Sequence, residues 1–212
     1  VDTVDTAALR ATVLDRCRAE EEAVTIRSVS GFNLPEQLMI PAFAQLVWEC
    51  RASYLPAFAA IGAALLPRRR AVLDRPSPAR AVFVMGEEAV CRLERGQPDP
   101  EIAAAQLRAL QDRAGAPHVS VVIHPRAAPA LPFPAGRFVI TTDIGGRHTA
   151  YEEAAPEPSG LLITSAPRRV QVYQDIFDRL CADSLDESGS QARIEEALRR
   201  RHRAVTTVPD TR

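Results

Sequence analysis

The chain has 212 residues, which is enough for one sizeable core and bounds it to one domain with at most a helical appendage. Its net charge of −1 excludes a strong electrostatic pull on nucleic acid or anionic lipid, and all 26 basic residues are arginine. Aromatic residues make up only 5%, so the core must rest on Ala, Val, Leu and Ile.

Taken in chain order, apolar spacing predicts a helix over 6–22, ending in the acidic run Glu20-Glu21-Glu22. Alternation from Val24 to Val29 predicts a short strand, closed by Gly31. Residues 33–40 read as a turn, and Pro41 suits the first turn of a helix reaching about Arg51. A helix over 56–66 is expected to be interrupted at Pro67, before Arg68-Arg69-Arg70. Ala81–Met85 and Val119–Ile123 are apolar runs of buried-strand length. Between them lie a short helix over 87–93 and one over 100–114, with Asp99 as N-cap and Gly115 at its end.

Two strands, 137–143 and 147–152, flank Gly145-Gly146, a two-residue hairpin turn by composition. Proline loops are expected at 127–136 and 154–160, a short strand at 161–164, and helices at 168–183 and 191–202. The order predicts an α/β (α+β) domain over 1–205, with a flexible tail at 206–212. Its centre is a small mixed sheet of about four to five strands, packed by N-terminal and C-terminal helices.

The four cysteines stand singly, with no C-x-x-C pair, which favours buried free thiols in a reducing cytosol over a zinc ribbon or redox dithiol. No apolar leader or membrane-length stretch is expected, so the chain reads as cytoplasmic.

For chemistry, Glu88 follows one buried strand and His124 ends the other. If those strands are neighbours, the two form a possible acid/base pair, to which Glu153 is a candidate third member. The competing readings are a carboxylate favouring a helix N-terminus and a polar strand end. Asp143, His148, Glu152 and Glu153 lack metal-ligand spacing, and no phosphate loop or dinucleotide fingerprint occurs, so no metal or cofactor is expected. The arginine runs read as solvated helix faces paired with acids such as Glu195 and Glu196. The stripe of Phe43, Val47, Trp48, Cys50, Tyr54 and Phe58 reads as core, or as the wall of an apolar pocket.

Several segments together resemble one family. The stretch Glu21-Glu22-Ala23 through Leu34-Pro35-Glu36-Gln37-Leu38-Met39-Ile40-Pro41-Ala42-Phe43-Ala44 is similar to an acidic helix, strand and "iPGLLQTpeYA" turn. Arg69 to Leu73 is similar to "RQ-x-x-L", Glu87 to Val90 to "dEaaL", Pro117 to Pro125 to "pnVtvqVlP", and Ala150 to Glu153 to "vYvE". In this order, over about residues 10–185, they resemble the domain of unknown function that follows a Xre-type helix-turn-helix in actinobacterial antitoxin-like regulators.

The resemblance implies a regulatory domain that binds a small molecule or a small partner protein. With no helix-turn-helix expected ahead of it, direct nucleic-acid contact is not expected either. Glu36, Met39, Phe43, Arg69 and Tyr151 lie in the matching motifs and are the candidate ligand-binding positions. Glu36, Met39 and Ile40 depart from the family's Gly, Gln and Thr. That departure motivates the alternative, an enzyme of secondary-metabolite biosynthesis working through Glu88 and His124 in an apolar pocket. A homodimer through the C-terminal helices is a third reading.

Overall fold

The computed structural model describes residues 6–53, 56–128, 137–153 and 161–206. Most of both proline loops, Tyr54 and the tail from residue 207 on lie outside these residues. Along the chain run α1 (Thr6–Glu22), β1 (Thr25–Ser30), a 3-10 turn (Glu36–Leu38), α2 (Pro41–Ala52) and α3 (Pro56–Ala71). Then follow β2 (Arg80–Gly86), α4 (Glu87–Glu94), α5 (Pro100–Ala114), β3 (Val119–His124), β4 (Arg137–Thr142) and β5 (His148–Glu153). Last come β6 (Leu161–Thr164), α6 (Pro167–Ala182) and α7 (Glu187–Thr206).

The sheet is mixed and has six strands in the order β3-β2-β1-β4-β5-β6, one more than the upper end of the expected four to five. β1, β2 and β3 are parallel, and β4, β5 and β6 continue the sheet antiparallel. Alternation along the strands sorts side chains to two faces. Ile26, Phe83, Met85, Val121, Ile123 and Val139 face a core built with α2, α3, α4, α5 and α7. On the same face Tyr151 and Leu161 pack with Leu9, Val13 and Cys17 of α1. The opposite face, with Val29, Val84, Val122, Phe138 and Ile140, is covered by Val170, Phe177 and Leu180 of α6.

Local chemistry explains most boundaries. Asp99 caps α5, its carboxylate accepting from the N–H groups of Glu101 and Ile102 at 2.9 Å each. The β4–β5 turn is wider than expected: Gly146 N–H donates to the Asp143 carbonyl, and only Gly146 of the glycine pair takes positive φ, at 80°. Pro67 does not end its helix. α3 runs through it to Ala71, because α3 is clamped between α1 and α2 and tertiary packing outweighs one lost hydrogen bond.

α2 and α3 form an antiparallel hairpin, and Gly62 decides how closely they approach. A Cβ at Gly62 would overlap the six-membered ring of Trp48, which also meets Phe58 with ring centroids 5.8 Å apart. Gly62→Ala would gain about 1 kcal/mol from helix propensity alone. Overpacking against Trp48 costs about 1–3 kcal/mol, so a net loss of stability is expected in denaturant unfolding. An increase in the unfolding midpoint would show that the indole is not fixed there.

Candidate functional site

Among the described residues the buried charged side chains Arg16, Glu20, Glu36 and Arg69 do not form an acid/base pair with one another but join the half-buried Arg137 and Glu153. They form a closed ring of ion pairs. α1 supplies Arg16 and Glu20, the 3-10 turn Glu36, α3 Arg69, β4 Arg137 and β5 Glu153. Arg16 Nε donates to Glu20 at 3.1 Å, and Arg69 grips Glu20 with Nε and Nη2, both at 2.8 Å. Arg69 also pairs with Glu36, which accepts from Arg137 Nη2 at 2.7 Å. Arg137 Nε then donates to Glu153 at 2.5 Å, and Glu153 pairs back to Arg16. All six side chains are at most 15% exposed.

Electrostatics follow from this closure. Burial opposes ionisation of Glu153, but Arg137 and then Arg16 outweigh it and hold the carboxyl at about 2. Burial likewise opposes the Glu20 carboxylate, and Arg69 and Arg16 again win, so its pKa is lowered. For Arg69 and Arg137 burial outweighs the carboxylates and the guanidinium pKa falls, with Arg16 adding like-charge repulsion to both. They remain cations at physiological pH.

Arg51 of α2 joins from outside. Its Nη1 lies 3.8 Å from Glu36, and its guanidinium carbon stacks 4.8 Å from the centre of the Trp48 ring. A small void of about 10 Å³ touches Arg16, Glu36, Arg69 and Glu153 on one side and Trp48, Phe58 and Gly62 on the other. Across Trp48 lies a larger groove of about 570 Å³ between α2 and α3. It is lined mainly by alanine and proline, with Gln45, Glu49 and Arg70 as its polar side chains besides the indole.

The sequence candidates divide accordingly. Glu36, Arg69 and Glu153 meet in the ring. Tyr151, two residues before Glu153 on β5, packs against α1, and burial first, then Asp15 and Glu20, push its pKa up to about 12. Met39 is core, 1% exposed, and Phe43 is largely core. Glu88 and His124 sit at one end of the sheet, since Gly86 pairs with His124 across adjacent β2 and β3. Glu88 is engaged by Arg95 at 2.6 Å and by Arg126, while His124 Nδ1 lies 3.4 Å from Ser184 Oγ. Glu153 is four strands away from His124, about 19 Å at normal strand spacing, so the three do not share a pocket.

Arg16, Glu20, Arg51 and Arg137 were not among the candidates. The signal available for Arg16 and Glu20 was their i,i+4 spacing on an otherwise apolar helix face with Val13 and Cys17. Beside the ring, Gln106 Nε2 donates to the Leu38 carbonyl and its Oε1 accepts from Ile40 N–H, both at 2.8 Å. This pins the 3-10 turn to α5. Gln37 in that turn is 1% exposed, with neither carboxamide atom hydrogen-bonded among the described residues.

The sequence model of a family described as a domain of unknown function (DUF5753) matches residues 13–196. Comparison with curated proteins finds no match. Among the described residues no helix is long and apolar enough to cross a membrane.

Because Glu153 has a lower pKa folded than unfolded, its stabilisation is complete above the ordinary value of 4.5 and is lost as pH falls toward about 2. The stability difference between the wild type and Glu153→Gln is expected to be constant from pH 7 to 5 and to shrink below 4.5. A difference that stays constant from pH 5 to 2.5 would contradict the ring's electrostatics.

Proposed function

The chain belongs to the family described as a domain of unknown function (DUF5753), and on that footing we propose that it is a non-catalytic binding domain that senses a small apolar molecule in the α2–α3 groove. The observation that carries this reading is the groove itself. Its volume of about 570 Å³ falls within the range of small-molecule sites, and its lining is apolar with a few polar groups. Its floor is the chain's single tryptophan. Pro67 withdraws the N–H that the Ala63 carbonyl would otherwise receive, and both residues line the groove.

A regulatory role is supported by the resemblance, in motif order and spacing, to the domain that follows a Xre-type helix-turn-helix in actinobacterial antitoxin-like regulators. In this reading the domain works in the cytoplasm, and ligand state passes from the groove through Trp48 and Arg51 to Glu36. An acid/base role is less favoured. Glu153 is permanently ionised at neutral pH, whereas a general acid or base works best with a pKa near the operating pH.

The test is a library of small apolar metabolites, read by thermal shift and Trp48 emission. Hits are expected to change both. Ala63→Phe fills the groove from an exposed position, and it is expected to abolish the response while leaving the unliganded melting temperature nearly unchanged. A library without hits, or hits indifferent to Ala63→Phe, would overturn the proposal.

A further inference from the structure

α2 has a second open side. Facing α4, it borders a separate cleft of about 240 Å³, formed where the chain leaves the carboxyl ends of the parallel neighbours β1 and β2. Ligands of α/β sheets commonly bind at such strand ends. The two ends lie flush because Gly86 has no side chain: a Cβ there would overlap the Gly31 carbonyl. The chain then parts, with the loop after β1 on one side and α4 on the other.

The cleft's chemistry is distinct from that of the groove. Its floor is apolar, made by Leu34, Phe43 and Leu93. Two guanidiniums, Arg51 and Arg92, line it with no carboxylate among its lining residues. Asn33 and Gln97 add amide groups, and Phe32, 64% exposed, stands at the cleft as an aromatic surface. Arg92 is exposed and has no ion-pair partner among the described residues. The acid one turn before it on α4 is Glu88, whose carboxylate is turned to Arg95 and Arg126 instead. Arg51 is held by its stacking on Trp48 and by Glu36 at 3.8 Å, so Arg92 is the cleft's exposed cation and Arg51 a fixed one beside it. A cationic wall over an apolar floor beside an exposed ring suits a small organic oxyanion with an apolar body.

We propose that this cleft is a second binding site, for a small carboxylate or phosphate monoester carrying an aromatic or aliphatic group, with Arg92 and Arg51 holding the oxyanion. The site is independent of the groove reading, since it lies on the opposite flank of α2 and uses different residues apart from the Trp48 contact.

Two features give direct readouts. Cys50 lines the cleft and is exposed on the outer flank of α2, against the sequence expectation of buried thiols, whereas Cys17 is buried and Cys91 and Cys181 are half-buried. Trp48 lies under Arg51 and reports its movement. The experiment titrates the full chain with benzoate, phenyl phosphate and the neutral benzyl alcohol. It follows Trp48 emission and the alkylation rate of Cys50, mapped by mass spectrometry.

Saturable binding of benzoate, phenyl phosphate or both is expected, with Cys50 protected. Binding of benzoate alone assigns a carboxylate site, and binding of phenyl phosphate alone a phosphoester site. Benzyl alcohol is expected to bind about tenfold more weakly or worse, as is either anion to Arg92→Gln, the loss that goes with one charge-assisted hydrogen bond. Ala63→Phe is expected to leave anion binding intact even if the groove proposal fails. The proposal is overturned if neither anion protects Cys50, if Arg92→Gln binds as the wild type does, or if Ala63→Phe removes anion binding and so places the probe in the groove.

Discussion

The ring of Arg16, Glu20, Arg69, Glu36, Arg137 and Glu153 is the constraint on which the arrangement of the N-terminal half depends. A single carboxylate in that position would cost several kcal/mol in lost hydration. The ring meets that cost by giving every carboxylate two guanidiniums and every guanidinium two carboxylates. Arginine is needed for this. Its planar fork carries five N–H donors and bridges two acceptors in fixed directions, which a lysine ammonium does far less well. A chain whose basic residues are all arginine is suited to such a ring.

The ring also sets what surrounds it. It ties α1, α3 and the 3-10 turn to the β4–β5 hairpin, and through Arg51 it reaches α2. α2 is therefore held as a wall with an opening on each flank, the apolar groove toward α3 and the cationic cleft toward α4. Trp48 and Arg51, stacked on each other, sit between the two. Arg51 in turn lies 3.8 Å from Glu36, so the proposed sites and the ring share one physical contact. The same ring fits poorly with acid/base chemistry, because Glu20 and Glu153 are held ionised by their arginines.

The sequence made the backbone legible where local rules decide. β2 and β3 followed from short apolar runs, α5 from Asp99 and Pro100, and the β4–β5 hairpin from its glycines. It misled where tertiary contacts override local rules, as when α3 continued through Pro67. The ring was legible only in part. Arg68-Arg69-Arg70 reads as a solvated run and Glu20-Glu21-Glu22 only as an acidic one, and a helix turns about 100° per residue, so the members of a run point in different directions. Arg68 and Glu21 meet at the surface at 2.7 Å, and Arg199 and Arg200 pair with Glu195 and Glu196, as that reading expects. Arg69 and Glu20 turn inward, and no composition rule marks which member of a run will do so. The resemblance did draw Glu36, Arg69 and Tyr151 out of the background, and the first two lie in the ring.

The most direct measurement is denaturant unfolding of Glu20→Gln, Arg69→Gln and the double variant. If the ring acts as one unit, each single change costs about 3–5 kcal/mol by stranding a buried partner. The double change then costs much less than the sum of the two, because Glu20 and Arg69 are each other's partner and Arg16 and Glu36 keep Glu153 and Arg137. Single losses below about 1 kcal/mol, the range of exposed ion pairs, or strictly additive losses in the double variant, would contradict the ring as the element that holds this fold together.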